Sequence, residues 1–266
     1  KPFPKVYRIG DFGFHGNDAQ RAKFLGSLPT GPGAGDGRGI LGLYGSDPAT
    51  ATEITNLMHE TGKALGNSVG TLAAASGDYT PENGAVYPDG SFGRKLEEAA
   101  ILLKRTPARV VGVNIGGWDL HTAQGTLTGS HANRFTELSQ GYAALAADLA
   151  DQWNDVLVVT MTEFGRTTIE NGSRGTDHGE ANVMFVGGGS VNGGVFNCDA
   201  GSWESGAMFA RRERYLSRKT DFRAVFGEIF ERHFGDDPAL LDTIMPGYTF
   251  DKSDYPDEFN YLNFLT

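Results

Sequence analysis

The stretch from Asp155 to Gly194, DVLVVTMTEFGRTTIENGSRGTDHGEANVMFVGGGSVNGG, constrains the fold of this chain more than any other part of it. It holds two short apolar runs, Val156 to Met161 and Asn182 to Val186. Their length and β-branched content suit buried strands of a parallel sheet rather than helices. Between the runs lie groups able to bind cations or anions: Thr162, Glu163 and Arg166 after the first, Asp177 and His178 before the second. In open α/β sheets ligands bind beyond the carboxyl ends of the strands, so a site is expected here.

The flanking sequence supplies helices. Ser46 or Asp47 can cap a first helix, with Pro48 at its first position and Ile54, Leu57, Met58, Ala64 and Leu65 at helical spacing up to about Gly66. Loops are expected from Ser27 to Asp47 and from Gly70 to Gly90, where turn formers concentrate. Phe92 to Arg105 reads as an amphipathic helix with Leu96, Ala99, Ala100 and Leu103 on one face, stopped by Pro107. Arg109 to Ile115 is a strand candidate that runs into Gly116, Gly117, Trp118, Asp119, Leu120 and His121. A long helix over about Asn133 to Trp153 then places Phe135, Leu138, Tyr142, Leu145 and Leu149 at 3.6-residue spacing. Strand, helix and strand predict a right-handed βαβ unit with parallel strands. Beyond Gly194 the chain is irregular until Thr220 or Asp221 caps a helix striped by Val225, Phe226, Ile229, Phe230 and Phe234.

Length and charge narrow the function. The 266 residues suit one large domain, and the net charge of −10 argues against a nucleic-acid backbone or an anionic membrane surface as the main partner. A single cysteine, Cys198, excludes an internal disulfide framework and all-cysteine metal sites. The sequence has no apolar run of membrane-spanning length. The start at Lys1, without Met, leads to the expectation that a segment has been lost upstream.

Three constellations can carry chemistry. Asp119 and His121 are separated by one residue, so in extended chain their side chains share a side and can converge on one cation; the alternative is a loop hydrogen bond. Asp177 and His178 lie in GTDHG, where Gly175 and Gly179 permit the turn that would bring both to one point, the alternative being an Asx-turn beside a solvated imidazole. Glu163 is a further oxygen ligand or a general acid/base, and Arg166 can hold a tetrahedral oxyanion bidentately, unless the two form an ion pair that stiffens the loop. His15, His59, His131 and His233 read as structural or solvated. The two Asp/His pairs occurring together point to a metal site, and their mixed nitrogen and oxygen donors favour Zn²⁺ or Mn²⁺, with Mg²⁺ and Ca²⁺ also open.

VGVNIGGWDLHTAQG, VVTMTEFGRTTIENGSRGTDHG, MFVGGGSVNGG and the later TDFRAVFGEIFERHFG and MPG resemble the signature segments of the bacterial domain-of-unknown-function 1501 family, over about Phe92 to Gly247. That family is similar to the alkaline phosphatase and sulfatase superfamily. The resemblance implies a three-layer α/β/α fold with a mainly parallel central sheet and a metal site at its carboxyl edge, with Asp119, His121, Asp177 and His178 as ligands. Glu163 falls where relatives carry an Asp-His pair, and Phe164 replaces that histidine. The resemblance also implies phosphate- or sulfate-ester hydrolysis, a small anionic ester as substrate, and a periplasmic or extracellular location. It further implies that the chain is the C-terminal portion of a longer protein whose early part supplies the nucleophile.

On this reading residues 1–266 form a single alkaline-phosphatase-like domain lacking an N-terminal part. A loop-rich region covers 1–91, with one or two helices; the signature α/β region covers 92–250, and a tail covers 251–266. Asp11, His15 and Asp18 are weak substitutes for the missing ligand. Another polypeptide completing the sheet is the alternative partner. A non-catalytic exported surface or assembly protein that keeps the fold is the rival function.

Overall fold

In the computed structural model of the protein, residues 78–197 and 214–266 are described, together with isolated positions between 57 and 75. The loop from Ser27 to Asp47, the cap at Ser46 or Asp47, the early candidates Asp11, His15 and Asp18, and Ile54, Met58, His59, Leu65 and Cys198 lie outside the described residues. The chain divides into two compact units, Lys1–Ile115 and Gly116–Thr266.

In the first unit Leu57, Glu60, Thr61, Ala64, Ser68, Thr71, Ala74 and Ala75 are helical. Helix therefore reaches beyond Gly70, where the density of small residues predicts loop. Helix α1, Ser91–Arg105, buries Phe92, Leu96, Ala99, Ala100 and Ile101, and its last turn carries Lys104 and Arg105, whose charges complement the helix dipole. Arg105 donates to the carbonyls of Ala75 and Asp78 at 3.0 and 2.8 Å, which ties the two helical segments together. Thr106 turns extended and Pro107 follows, so the helix stops where the sequence predicts.

Residues 109–115 are not a strand, although Val111, Val113 and Ile115 are more sheltered than Val110, Gly112 and Asn114. The period of two is that of extended chain, but no neighbouring strand completes a ladder with it among the described residues.

In the second unit helix α2, Ser130–Asp148, starts earlier than its apolar period implies, and a 3₁₀ turn over Ala150–Asp155 takes its last expected residues. Strands β1, Leu157–Val159, and β4, Val186–Gly188, pair antiparallel, Val158 opposite Gly187. Nested between them in sequence, β2, Gly165–Arg166, pairs antiparallel with β3, His178–Gly179. The parallel arrangement expected for the two apolar runs is not what forms. A parallel pair needs a crossover of a dozen or more residues, usually a helix, and the stretch between Val159 and Val186 is polar, glycine-rich and without helical period. The described residues hold these two small sheets and no parallel central one.

Around β1 and β4 the packing is nevertheless layered. Leu157, Val159 and Val186 pack against Val225 and Ile229 of helix α3, Phe222–Arg232, together with Phe264 and Leu265. The opposite side meets α2, where the Tyr142 hydroxyl donates to the carbonyls of Val158 at 3.3 Å and Phe185 at 3.4 Å. Burial pushes that phenol up to about 12. A Cβ on Gly187 would lie 3.2 Å from the Tyr142 ring, so a larger residue there would require the ring to give way slightly.

Helix α3 opens on Asp221, whose carboxylate accepts from the Arg223 amide at 2.9 Å, the cap the sequence predicts. Short helices α4, Leu241–Ile244, and α5, Tyr248–Asp254, follow, with Leu241, Tyr248 and Phe259 in a second core. The fully buried Glu228 carboxylate accepts from the amides of Asn263 and Leu265 at 2.9 and 3.2 Å and from Arg232 at 3.3 Å, and so fastens the C-terminal segment to α3. Glu228→Ala would leave two inward amides without an acceptor, each costing about 1–3 kcal/mol. A loss of about 2–4 kcal/mol in urea denaturation is expected, and a smaller one for Glu228→Gln, which keeps one acceptor oxygen. An alanine variant as stable as the wild type would show that this carboxylate does not hold the segment.

Candidate metal centre

Two loops of the second unit build the centre by running alongside each other. Thr176 N donates to Leu120 O at 3.1 Å, Ala123 N to Ser173 O at 3.0 Å and Gln124 N to Arg174 O at 2.9 Å. The approach is close enough that a Cβ on Gly175 would sit 2.3 Å from the carbonyl carbon of His121. Asn171 staples the turn. Its Oδ1 accepts from the amides of Ser173 and Gly175, and its Nδ2 donates to His121 O and to Asp177 Oδ1, both at 3.0 Å.

This ribbon brings Asp119 and His121 to Asp177 and His178. Asp119 Oδ1 lies 2.9 Å from His121 Nε2 and 3.0 Å from His178 Nε2, and it also accepts from Arg166 Nη1. Pairing of β2 with β3 sets Arg166 directly across from His178. The guanidinium is fixed by further donations, Nε to Thr176 Oγ1 at 3.0 Å and Nη2 to Thr176 O, while Thr176 Oγ1 donates to Gln124 Oε1 at 2.6 Å. Phe164 stacks on His178 with ring centroids 4.0 Å apart and an 18° interplanar angle, which fixes the plane of that imidazole.

The four residues expected as ligands meet, but not on equal terms. Asp119, His121 and His178 present donor atoms all within 4.8 Å of one another. A tetrahedral site with bonds of about 2.0–2.1 Å separates its donors by about 3.3 Å, so this set has the size and chemistry for one divalent cation with a position left open. Asp177 lies behind His121, its Oδ1 3.3 Å from Nδ1, and its Oδ2 accepts from Arg214 at 2.5 Å. Glu163 is exposed and takes no part in the hydrogen bonds of this cluster among the described residues. Arg166 pairs with Asp119, so the expected alternative of a Glu163–Arg166 pair is not what the loop forms.

Desolvation pushes the Asp119 carboxyl up, but hydrogen bonds from Arg166 and His178 and the charges of the two imidazoles outweigh it and hold the group below the usual carboxylate range. Asp177 is lowered first by its hydrogen bond from Asn171, then by that from His121, against desolvation and with help from Arg214. Both carboxylates are therefore ionised at neutral pH and available to cations. His131 sits apart, in an aromatic group with Trp118 and Phe135, and is lowered by burial and by the charge of Arg166.

A family model described as "Protein of unknown function (DUF1501)" matches residues 48–209. The chain belongs to the DUF1501 family. No curated protein and no solved structure matches it. The DUF1501 match begins well before the segment carrying the sequence resemblance and takes in Asp119, His121, Arg166, Asp177 and His178. It ends before α3, so the C-terminal segments that prompted the same assignment lie outside it.

Sequence reasoning missed Asn171, Thr176, Gln124 and Arg214. Asn171 precedes a glycine, a turn signal with no sign of ligand support, and Arg214 lies 37 positions from the carboxylate it pairs with. Gly175→Ala is expected to force the two loops apart, costing about 1–3 kcal/mol as overpacking does. On the metal reading the same variant should abolish Zn²⁺ uptake. Denaturation and a metal-competition titration check both; unchanged uptake would show that the loop contact does not assemble the centre.

Proposed function

We propose that this DUF1501 protein is an exported metal-dependent hydrolase of phosphate or sulfate monoesters. One observation carries the reading: a carboxylate and two imidazoles converge beside an arginine whose fork is immobilised. Asp119 and Asp177 carry two negative charges and Arg166 and Arg214 two positive ones, so the paired groups are neutral together. A divalent cation held by Asp119, His121 and His178 would leave the centre doubly positive, which suits a doubly charged tetrahedral oxyanion. Zn²⁺ or Mn²⁺ fits the donor set best, with Mg²⁺ and Ca²⁺ less suited. The cation would supply Lewis acidity toward an ester oxygen.

The chain's own residues do the rest. Arg166, held by Thr176 and Gln124, is placed to balance charge on the oxyanion. Phe164 keeps the His178 ring in plane. Thr176 Oγ1 accepts from Arg166 and donates to Gln124, so that hydroxyl is committed to holding the guanidinium. The resemblance of the signature segments to the DUF1501 family, itself similar to the alkaline phosphatase and sulfatase superfamily, supports the reaction class, the three-layer α/β/α fold and a periplasmic or extracellular location. The balanced Asp119–Arg166 and Asp177–Arg214 pairs favour the rival reading, an exported surface or assembly protein in which the cluster is only structural.

Metal analysis of the native protein, combined with arylphosphate and arylsulfate turnover before and after chelation, separates the two. The hydrolase reading expects about one Zn²⁺ or Mn²⁺ per chain and turnover that chelation removes. Arg166→Ala should lose phosphate and sulfate binding while metal content stays nearly unchanged. Absence of both metal and turnover would leave the structural reading standing.

A further inference from the structure

We propose that Asp177 is a positioning residue rather than a metal ligand, one that accepts from His121 Nδ1 when Nε2 is given to a cation shared with Asp119 and His178. The inference rests on the metal reading above, because without a cation His121 Nε2, nearer to Asp119 than Nδ1 is to Asp177, is itself placed to donate. The two nitrogens of an imidazole point to opposite sides of the ring. His121 Nε2 is 2.9 Å from Asp119 and Nδ1 is 3.3 Å from Asp177, so the carboxylates sit on opposite sides of that ring.

Asp177 is also not free to swing. Its Oδ1 accepts from Asn171 and faces His121, and its Oδ2 accepts from Arg214. Its amide donates to Thr167 Oγ1 at 3.1 Å and its carbonyl accepts from Thr167 N at 2.9 Å, and Thr167 is buried. Asp119 is likewise held by an arginine, Arg166, and differs in that the same Oδ1 lies beside both imidazoles. Of the two carboxylates, one is placed to bind a cation and the other to orient a ligand. A carboxylate behind a ligating imidazole fixes its tautomer and raises its basicity, which is the role this geometry assigns.

Asp177→Asn tests the idea because an amide cannot satisfy the same partners. Asn171 and Arg214 both donate toward position 177, so the amide oxygen would turn to the charged guanidinium and leave its NH₂ group facing His121 Nδ1. That NH₂ group would oppose the Nδ1–H that a cation on Nε2 requires. Long-range ¹⁵N–¹H spectra of the histidines, recorded on the metal-free and Zn²⁺-loaded full chain, read this directly. Competition titrations with Co²⁺ and its visible spectrum read the coordination.

The expected result for the Zn²⁺-loaded wild type is a proton on His121 Nδ1 with Nε2 bound. Co²⁺ affinity should fall about 10–100-fold in Asp177→Asn with the spectrum and 1:1 stoichiometry kept. Asp177→Glu should recover part of the affinity, and Asp119→Asn should lose binding. A Co²⁺ spectrum altered in Asp177→Asn as by loss of a ligand overturns the inference, as does an affinity equal to that of the wild type. A wild type that takes up no Co²⁺ overturns the metal reading and this inference with it.

Discussion

The centre depends on the main-chain contact between the loop at 171–176 and the loop at 120–124. Neither is helix or strand, yet their amides and carbonyls pair as regularly as those of a short ladder, and Asn171 supplies four of the remaining bonds from one side chain. Backbone groups of the two loops thus find partners without helix or strand, and the side chains they carry are placed by those pairings. The close approach at Gly175 is the condition for all of it, because any Cβ at that position occupies the space of the His121 carbonyl.

The rest of the second unit serves to hold the ends of that arrangement. Strands β1 and β4 are only a few residues long, too short to be stable alone. They gain their stability from α2 on one side and α3 with the C-terminal segment on the other. Glu228 locks that segment by accepting from two of its amides, which gives Phe264 and Leu265 fixed places beneath the sheet. The loops carrying Arg166 and His178 leave from the same two strands, so rigidity in the core is passed to the site through very few residues.

Features governed by local chemistry were legible in the sequence. The apolar period and Pro107 mark α1, the acid at Asp221 marks the cap of α3, and the Asp-x-His and Asp-His pairs mark the residues that meet. Features governed by pairing between distant segments were not. Strand direction was misread because short apolar runs look alike in parallel and antiparallel sheets; the connection between them, without helical period, was the better guide. The reading of Asp177 as a ligand rests on its residue type, whereas its partners Asn171 and Arg214 carry no spacing signal. Glu163 follows the first strand as a site residue would and is exposed, as Asp119, His121 and His178 are.

Asp119 Oδ1 is where the electrostatics of the centre are decided. Two imidazole nitrogens and one guanidinium nitrogen converge on that atom, and a carboxylate oxygen has only two lone-pair directions. On the metal reading a cation entering between Asp119, His121 and His178 takes a lone pair of that oxygen and requires both imidazole nitrogens unprotonated. The donors now on the oxygen cannot all stay. Arg166 cannot lose its proton, so on that reading its Nη1 would be the group released to seek another acceptor while Nε and Nη2 stay on Thr176. A bound cation would then leave Arg166 an oriented anion donor, and the two bindings would be coupled through one oxygen atom.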